Sequence, residues 1–335
     1  TGSAVISSGA LARFDAPGLL QTLDRYPYGC TEQVTSKALP LLYFDAITSS
    51  LGLGDRGQVQ ERIDQAIAVV LTRQATNGAF GLWYADSGDF WLDSYVSDFL
   101  SRARAKGYAV PDIAFRQAMD NLRNRINYAP DFDDGGEDIA YAMMVLAREG
   151  AANMGDLRYY ADVKADDFRT PLAAAQLGAA LAFYGDQTRA DRMFAKAASK
   201  LEGRWNDAPS NVWRVDYGTR LRDAAGVLTL AVEAGSNVVD RSLWSARVGG
   251  AGRNLSTQES VWSLMAAHAL ITDDGSLGLS VNGSPVDGAL VRALADDAAA
   301  APILVKNESD QPTSLTLTSI GVPTYPVEKG GYGYA

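Results

Sequence analysis

The stretch Cys30-Thr31-Glu32-Gln33 decides how the fold of this chain is interpreted. It follows residues 26–29, Tyr-Pro-Tyr-Gly, whose proline and glycine interrupt regular structure, and it precedes apolar residues at helical spacing. The sequence therefore predicts a helix that starts at residue 31. Because side chains three residues apart share a face on a helical turn, Cys30 and Gln33 are predicted to be neighbours.

A thiol beside a carboxamide at a helix start suits the formation of an internal thioester. Unpaired N–H groups and the positive end of the helix dipole lower the pKa of a thiol and stabilise the oxyanion formed when a thiolate attacks a carbonyl. Loss of ammonia from the adduct of Cys30 and Gln33 leaves a stored acyl electrophile. A nucleophile that reaches this bond becomes attached to Gln33. The alternative interpretation is that Cys30 is only a small buried apolar residue.

The longer string Tyr28-Gly29-Cys30-Thr31-Glu32-Gln33 resembles the Gly-Cys-x-Glu-Gln signature of the thioester proteins, the α2-macroglobulin and complement family. A second stretch, residues 256–261 (Ser-Thr-Gln-Glu-Ser-Val) followed by residues 269–270 (Ala-Leu), resembles the last helix of that family's thioester domain. The resemblance places the family's thioester on Cys30 and Gln33, with Glu32 as part of the motif, and spans residues 16–272.

The composition of the chain is that of a globular protein without cofactor signals. The chain has 335 residues, of which 47% are hydrophobic and 21% are charged, and a formal net charge of −10. An acidic balance argues against a nucleic-acid partner. No stretch approaches the roughly 18 apolar residues of a membrane-spanning helix, and a single cysteine permits no internal disulfide. No spacing of ligands predicts a metal site, and no glycine-rich loop predicts a phosphate site.

Helical spacing continues from about residue 17 to residue 272, interrupted by short Gly, Pro, Asn and Asp segments. Helices are predicted at 31–50, 58–74, 91–106, 111–127, 137–149, 170–185, 187–202, 219–235 and 256–271. Antiparallel helix pairs bury a continuous apolar surface only by stacking on neighbours. The predicted fold is mostly α, an α/α toroid of stacked helix pairs, which the family resemblance also implies.

Alternating apolar residues after residue 273 indicate β-strands. Asn282-Gly283 is a strong hairpin signal, and strands are predicted at 277–281, 303–305 and 315–318. In the resembling family, the thioester domain is inserted into a CUB-like β-sandwich. The resemblance thus implies CUB-like strands in residues 1–15, a thioester domain in 16–272, and returning CUB-like strands with the start of the next domain in 273–335. We therefore expect the chain to be a piece of a larger protein.

Two aromatic residues and one histidine are further candidates. Tyr26 and Tyr28 either shield the bond from water or simply pack in the core. His268, the only histidine, is either a catalytic partner of the cysteine or a packed helix residue, which is the favoured interpretation. Relatives that use a histidine carry it near residues 128–132, where this chain has Tyr-Ala-Pro-Asp-Phe. The departure favours amine over hydroxyl nucleophiles.

An acidic cluster supports an alternative function. Asp133, Asp134 and Glu137, followed by Asp138, lie where a loop enters a predicted helix. Paired carboxylates on an α/α toroid suit a carbohydrate-active enzyme, in which they act as general acid and base. Acidic residues at a helix start also cap the helix and complement its dipole.

The resemblance implies a function for the parent protein. It predicts a broad-spectrum endopeptidase inhibitor, not an enzyme, that traps target proteases covalently through their amines. The other domains of the parent chain are further expected partners. The lack of cysteine pairs and of the histidine resembles the bacterial members of the family. The resemblance to those members implies that the protein is exported to the periplasm and acts in bacterial defence. Any lipid anchor is expected outside this chain.

Overall fold

The computed structural model describes residues 2–44, 48, 55–129, 131–132, 134–207, 214–252, 254–274, 278–288, 290–294 and 302–321. It is mostly helical, with 58% of its residues in helices. The helices are α1 Gly9–Arg13, α2 Ala16–Asp24, α3 Thr31–Leu41, α4 Arg56–Thr72, α5 Phe90–Ala105, α6 Asp112–Asn127, α7 Glu137–Arg148, α8 Met154–Asp162, α9 Pro171–Phe183, α10 Gln187–Trp205, α11 Arg220–Glu233, α12 Arg241–Gly249 and α13 Thr257–Asp274. The strands are β1 Gly2–Ser8, β2 Leu279–Val281, β3 Ser284–Pro285, β4 Val291–Leu294, β5 Val305–Asn307 and β6 Leu315–Gly321.

The helices from α2 onward form two concentric layers. The inner layer is a closed ring in which α3, α5, α7, α9, α11 and α13 each contact the next, and α13 contacts α3. The outer layer consists of the even-numbered helices; α4 packs on α3, α10 on α9 and α12 on α11. The predicted α/α toroid is therefore confirmed.

Burial explains which helices occupy each layer. Every residue from 171 to 181 in α9 is buried, and a helix that is apolar all round must lie inside the protein. In α10, by contrast, the buried residues recur at three- and four-residue spacing, which leaves the opposite face in solvent. The buried residues of α10 are Ala190, Met193, Phe194, Ala197 and Leu201.

The predicted helices agree with the observed ones except in number and in one boundary. The sequence analysis missed α1, α2, α8 and α12, all of which are short; α8 buries only Leu157 and Ala161. The first predicted helix, 31–50, ends at Leu41, one residue after Pro40. Proline lacks an N–H donor and disfavours a helical conformation at the residue before it. Of the predicted remainder, residues 45–47 and 49–50 lie outside the described residues.

Strands from before and after the helices share one sheet. β1 lies between β4 and β6 and is antiparallel to both, with Val5 opposite Ala293 and Thr318. A second sheet has the order β3-β2-β5. The predicted hairpin at Asn282-Gly283 is confirmed, since it joins β2 to β3 with positive φ angles of 50° and 81°. The CUB-like assignment and the limits at 1–15, 16–272 and 273–335 stay predictions.

Candidate functional site

Cys30 and Gln33 meet at the start of α3. Cys30 is the N-cap residue, with extended backbone angles (φ −65°, ψ 166°), and Gln33 is the third residue of the helix. The Gln33 side chain turns back, so that the Cys30 backbone N–H donates to Gln33 Oε1 at 3.0 Å. This reciprocal arrangement has the form of a capping box, in which the third side chain satisfies the N-cap backbone. It brings the carboxamide to the cysteine residue.

The environment of the Cys30 thiol differs from the sequence-based expectation. Cys30 is a free cysteine and only 6% exposed. Burial raises the pKa of the Cys30 thiol, and the Glu32 carboxylate adds to that effect. The backbone N–H groups of Gln33 and Glu32, together with Arg73, lower the pKa of the thiol, but their combined effect is smaller than the effects that raise it. The expectation of a lowered thiol pKa is therefore wrong, because desolvation outweighs the effect of the helix start.

Glu32 links the two stretches of sequence that carry the family resemblance. Its carboxylate is buried, and Glu32 Oε1 accepts hydrogen bonds from Ser36 Oγ (2.7 Å), Thr257 Oγ1 (3.0 Å) and Gln258 Nε2 (2.7 Å). Thr257 and Gln258 begin α13, the helix that closes the inner ring against α3. Glu32 therefore fixes the first turn of α3 to its neighbour. A buried carboxylate with this set of donors positions the helix start without facing the solvent.

The loop after α4 holds the other side of the helix start. Thr31 N–H donates to Leu82 O at 2.8 Å, and Thr31 Oγ1 donates to Gly81 O at 2.6 Å. Gly81 has no room for a side chain, since an added Cβ would lie 2.0 Å from Tyr84 O. The sequence analysis did not find these contacts, and the glycine of the Ala79-Phe80-Gly81 turn was the available signal.

Tyr217 is another residue that the sequence analysis missed. Its φ angle of 52° is in the left-handed region, which is rare for a non-glycine residue. Its hydroxyl donates to Asp89 Oδ2 at 3.2 Å, and its ring packs on Trp91 with 5.0 Å between centroids. Burial raises the pKa of Tyr217 to about 12, and Asp89, Cys30 and Glu32 contribute. Tyr217 therefore lies beside the α3 start as a neutral phenol.

Tyr26 and Tyr28, the predicted shield residues, lie against each other just before the site. Their ring centroids are 5.7 Å apart with an interplanar angle of 67°. Tyr26 is half-buried, and its carbonyl accepts a hydrogen bond from Lys37 Nζ, whereas Tyr28 is 62% exposed. A shielding role for the two rings stays a prediction.

His268 lies in the second half of α13, away from the first turn that contacts Glu32. It is ten residues after Gln258, which places it about 15 Å further along the helix axis at 1.5 Å per residue. Its ring packs on Tyr43 at 4.5 Å and near Phe44 at 6.0 Å between centroids. Burial lowers the pKa of His268, and Lys106 and Arg102 add to this effect. The surroundings favour a packed helix residue over a partner of Cys30.

Exchange of His268 for glutamine is therefore expected to leave acyl transfer almost unchanged. Glutamine keeps a polar amide of similar reach and removes the imidazole. We expect reaction with methylamine and with glycerol to stay within a few-fold of the unsubstituted rate, measured by thiol release between pH 5.5 and 8.5. A loss of about 10²-fold, the usual effect of removing a general base, in a folded variant would contradict this expectation.

The described members of the acidic cluster lie in different environments. Asp133 lies outside the described residues. Asp134 is exposed and forms an ion pair with Arg169 at 2.9 Å, and this hydrogen-bonded partner lowers the pKa of Asp134. Glu137 is the buried first residue of α7, and burial raises its pKa. Glu137 and Asp138 lie in the first turn of α7, which supports the helix-dipole interpretation, although no described side chain caps this helix.

The described residues contain neither a cluster of metal ligands nor a membrane-spanning helix. No group of three or more His, Cys, Asp or Glu side chains in the described part of the chain is arranged to hold a metal ion. None of the helices among these residues is long and apolar enough to cross a membrane.

Comparison with known proteins agrees with this geometry. Residues 5–133 match the family model of the A-macroglobulin TED domain. The α2-macroglobulin of Escherichia coli K12 is 35% identical over 228 residues, which cover 64% of this chain and 13% of the relative. The α2-macroglobulin of Xylella fastidiosa Temecula1 is 31% identical over 294 residues, covering 81% of this chain and 17% of the relative.

The solved structures that resemble this chain include further α2-macroglobulins. Native E. coli α2-macroglobulin, determined by cryo-EM, superposes with a TM-score of 0.78 at 28% identity and covers 98% of this chain, which corresponds to 21% of that chain. Salmonella α2-macroglobulin reacted with methylamine superposes with a TM-score of 0.78 at 31% identity and also covers 98% of this chain, or 22% of that chain.

The closed ring of helix pairs, with a Cys-x-Glu-Gln helix start, is the architecture of a thioester domain. The matches show which thioester proteins it is related to: the chain belongs to the α2-macroglobulin family. It spans 13% to 17% of the length of the two curated relatives above.

Proposed function

We propose that this chain is the thioester-bearing part of a protease inhibitor, which traps proteases covalently through a bond between Cys30 and Gln33. The hydrogen bond from the Cys30 N–H to Gln33 Oε1 carries the proposal, because it holds the carboxamide against the N-cap cysteine. Membership of the α2-macroglobulin family supports an inhibitor rather than an enzyme.

The bond forms in a balanced step that needs no cofactor. Cys30 Sγ adds to the carboxamide carbon of Gln33, and unpaired N–H groups at the start of α3 stabilise the oxyanion. The adduct then collapses with loss of ammonia, which takes the proton of the thiol, and a carbon–sulfur bond remains. Burial of Cys30 covers the sulfur side of the bond, which slows hydrolysis of the stored electrophile until a nucleophile arrives.

Amines are the proposed nucleophiles. His268 is remote from the α3 start, and residues 128–132 contain no histidine, so acyl transfer lacks the base that would favour hydroxyl groups. Solved structures include a Salmonella relative reacted with methylamine and E. coli α2-macroglobulin activated by porcine elastase and by trypsin. These relatives support lysine amines of a trapped protease as the targets in this chain.

The proposal extends to the parent protein and its place in the cell. We propose that the other domains of the parent chain contact this part, and that the protein is exported to the periplasm for bacterial defence, with any lipid anchor outside this chain. The relatives, which are bacterial α2-macroglobulins, support this setting.

Intact-mass measurement tests the thioester. Fresh protein is expected to be lighter than its sequence by the mass of one ammonia and to resist thiol reagents. Methylamine is then expected to liberate the Cys30 thiol and to leave a methylamide at Gln33. Cys30→Ala is the matched control and should show the sequence mass with no response to methylamine. Fresh protein with the full sequence mass and a thiol that reacts before methylamine is added would contradict the proposal.

A further inference from the structure

Arg73 bridges the two residues that flank Cys30. Arg73 is the C-cap residue that follows α4, and its guanidinium reaches the start of α3. Arg73 Nη2 donates to Gly29 O at 2.9 Å, and Arg73 Nη1 donates to Thr31 Oγ1 at 3.1 Å. A longer contact of 3.4 Å joins Nη1 to Leu82 O. One side chain therefore holds the backbone before the cysteine and the hydroxyl after it.

The guanidinium of Arg73 binds neutral oxygens rather than a carboxylate of the described residues. All three acceptors are neutral oxygen atoms, and within the described residues no carboxylate forms an ion pair with Arg73. Arg102 and Arg214, by contrast, bind the buried carboxylates of Asp98 and Asp223. A cation near a helix N-terminus also opposes the helix dipole, which disfavours it there. Arg73 is also the C-cap of α4, where the helix dipole favours a cation, yet its guanidinium is directed to neutral oxygens on both sides of the cysteine.

The Cys30 sulfur is the group on which this charge acts. Burial and the Glu32 carboxylate raise the pKa of the Cys30 thiol, and the backbone N–H groups of Gln33 and Glu32 lower it. Arg73 is the cationic side chain that lowers it. Glu32 is already held by donors from α3 and α13. The surroundings of the Cys30 sulfur therefore destabilise its thiolate form, and the positive charge of Arg73 offsets part of this destabilisation.

Arg73 is held firmly enough to act at a fixed point. Its carbonyl accepts a hydrogen bond from Gly81 N–H at 3.0 Å, and a bridge pairs Gln74 with Phe80. The Phe80 N–H donates to the buried Asp93 at 2.7 Å. A turn fixed at both ends presents the guanidinium to the helix start without a large loss of side-chain freedom.

On the basis of the thioester proposed above, we propose that Arg73 is a positioning residue for acyl transfer, which holds Cys30 beside Gln33 and stabilises the sulfur as it leaves. In the transfer step, an amine nitrogen adds to the acyl carbon of Gln33 and the carbon–sulfur bond breaks. The electron pair stays on Cys30 Sγ. The proton lost by the amine nitrogen ends on Cys30 Sγ, so that an amide and a thiol are the products.

Two substitutions at Arg73 test this role in the whole chain. Arg73→Gln keeps hydrogen-bond donors but removes the charge, and Arg73→Lys keeps the charge. We expect Arg73→Gln to slow thiol release by methylamine about tenfold and to shift the pH profile of Cys30 alkylation, measured after methylamine treatment, to higher pH. Arg73→Lys is expected to restore most of the pH profile. Arg123→Gln, an exposed arginine of α6, is the matched control and should match the unsubstituted chain.

Each result decides the proposal. An unchanged pH profile and an unchanged methylamine rate in folded Arg73→Gln would overturn it, as would equal shifts in the glutamine and lysine variants. Thermal melts by circular dichroism establish the fold of each variant. Alkylation requires only the free Cys30 thiol and no thioester. Its pH profile therefore tests the role of Arg73 independently of the thioester proposal. A chain without the ammonia loss contradicts the thioester, whereas an intact bond with an unaltered Arg73→Gln profile contradicts only the role of Arg73.

Discussion

Replacing Asp98 with alanine is expected to lower the free energy of unfolding by about 3–5 kcal/mol, because it removes the buried carboxylate that pairs with Arg102 and Arg148. Arg102 then keeps only Glu233, whose side chain is 29% exposed, as an ionic partner among the described residues. Asp98 is 1% exposed on the inner helix α5. Its Oδ1 accepts from Arg102 Nε at 2.9 Å and contacts Arg148 Nη1, and its Oδ2 accepts from Tyr141 OH at 2.9 Å. One carboxylate therefore joins α5 to the last turn of α7.

The pKa of Asp98 gives the pH dependence of this contribution. Burial alone would raise the pKa, but the guanidinium groups of Arg102 and Arg148 lower it to about 2. A folded-state pKa below the unfolded value of about 3.9 stabilises the protein above that value, and the contribution is lost as pH falls toward 2. The alanine variant should therefore lose most stability near neutral pH and least in acid.

Urea denaturation at pH 7 measures this loss. Asp120→Ala is the control, since Asp120 forms an exposed ion pair with Arg123 on α6, of the kind that contributes less than about 1 kcal/mol. A loss below about 1 kcal/mol for Asp98→Ala would show that the buried network does not stabilise the ring.

The inner ring could be predicted from the sequence, and the outer layer only in part. Long apolar segments such as α9 and α11 are buried on all sides and lack a polar face, but their length of more than ten residues favours a helix over a strand. The short helices α8 and α12 bury few residues and therefore leave a weak periodic signal. The sequence shows only the i,i+4 pairing of Asp98 with Arg102, because the other basic partner, Arg148, is 50 residues away.

At the candidate site, too, local contacts could be predicted from the sequence and long-range contacts could not. The neighbourhood of Cys30 and Gln33 follows from local spacing on one helical turn, so the sequence was sufficient to predict it. The contact of Glu32 with Gln258 joins residues 226 apart in the chain, and only the closed ring brings them together. The raised pKa of Cys30 was missed because a sequence shows a helix start but not how deeply it is buried.

Replacing Asp138 with asparagine is expected to stabilise the protein at alkaline pH, which is the reverse of the usual effect of a substitution in a core. Asp138 is the second residue of α7, where the helix dipole favours a carboxylate. Burial nevertheless raises the pKa of Asp138 to about 7, and the neighbouring carboxylates of Asp89, Glu137 and Asp216 contribute. Its Oδ1 is buried without a hydrogen-bond partner among the described residues.

The sign of the effect follows from this raised pKa. A folded-state value of about 7 lies above the unfolded value of about 3.9, so the protonated carboxyl is favoured in the fold. Its contribution to stability is fully present below the unfolded pKa and is lost as pH rises through 7. Asparagine cannot ionise and avoids this loss. We expect the free energy of unfolding of Asp138→Asn to exceed that of the unsubstituted chain by about 1–3 kcal/mol at pH 8.

Urea denaturation between pH 4.5 and pH 8 tests this expectation, with Asp134→Asn as the matched control. Asp134 is exposed, and its partner Arg169 lowers its pKa, so its replacement should give no gain at pH 8. Parallel stability curves for Asp138→Asn and the unsubstituted chain would mean that Asp138 is ionised in the fold at neutral pH. A gap that widens as pH rises would instead show that Asp138 retains its proton in the fold to about pH 7. Burial, with a contribution from neighbouring carboxylates, then outweighs the preference of a helix start for the charged form.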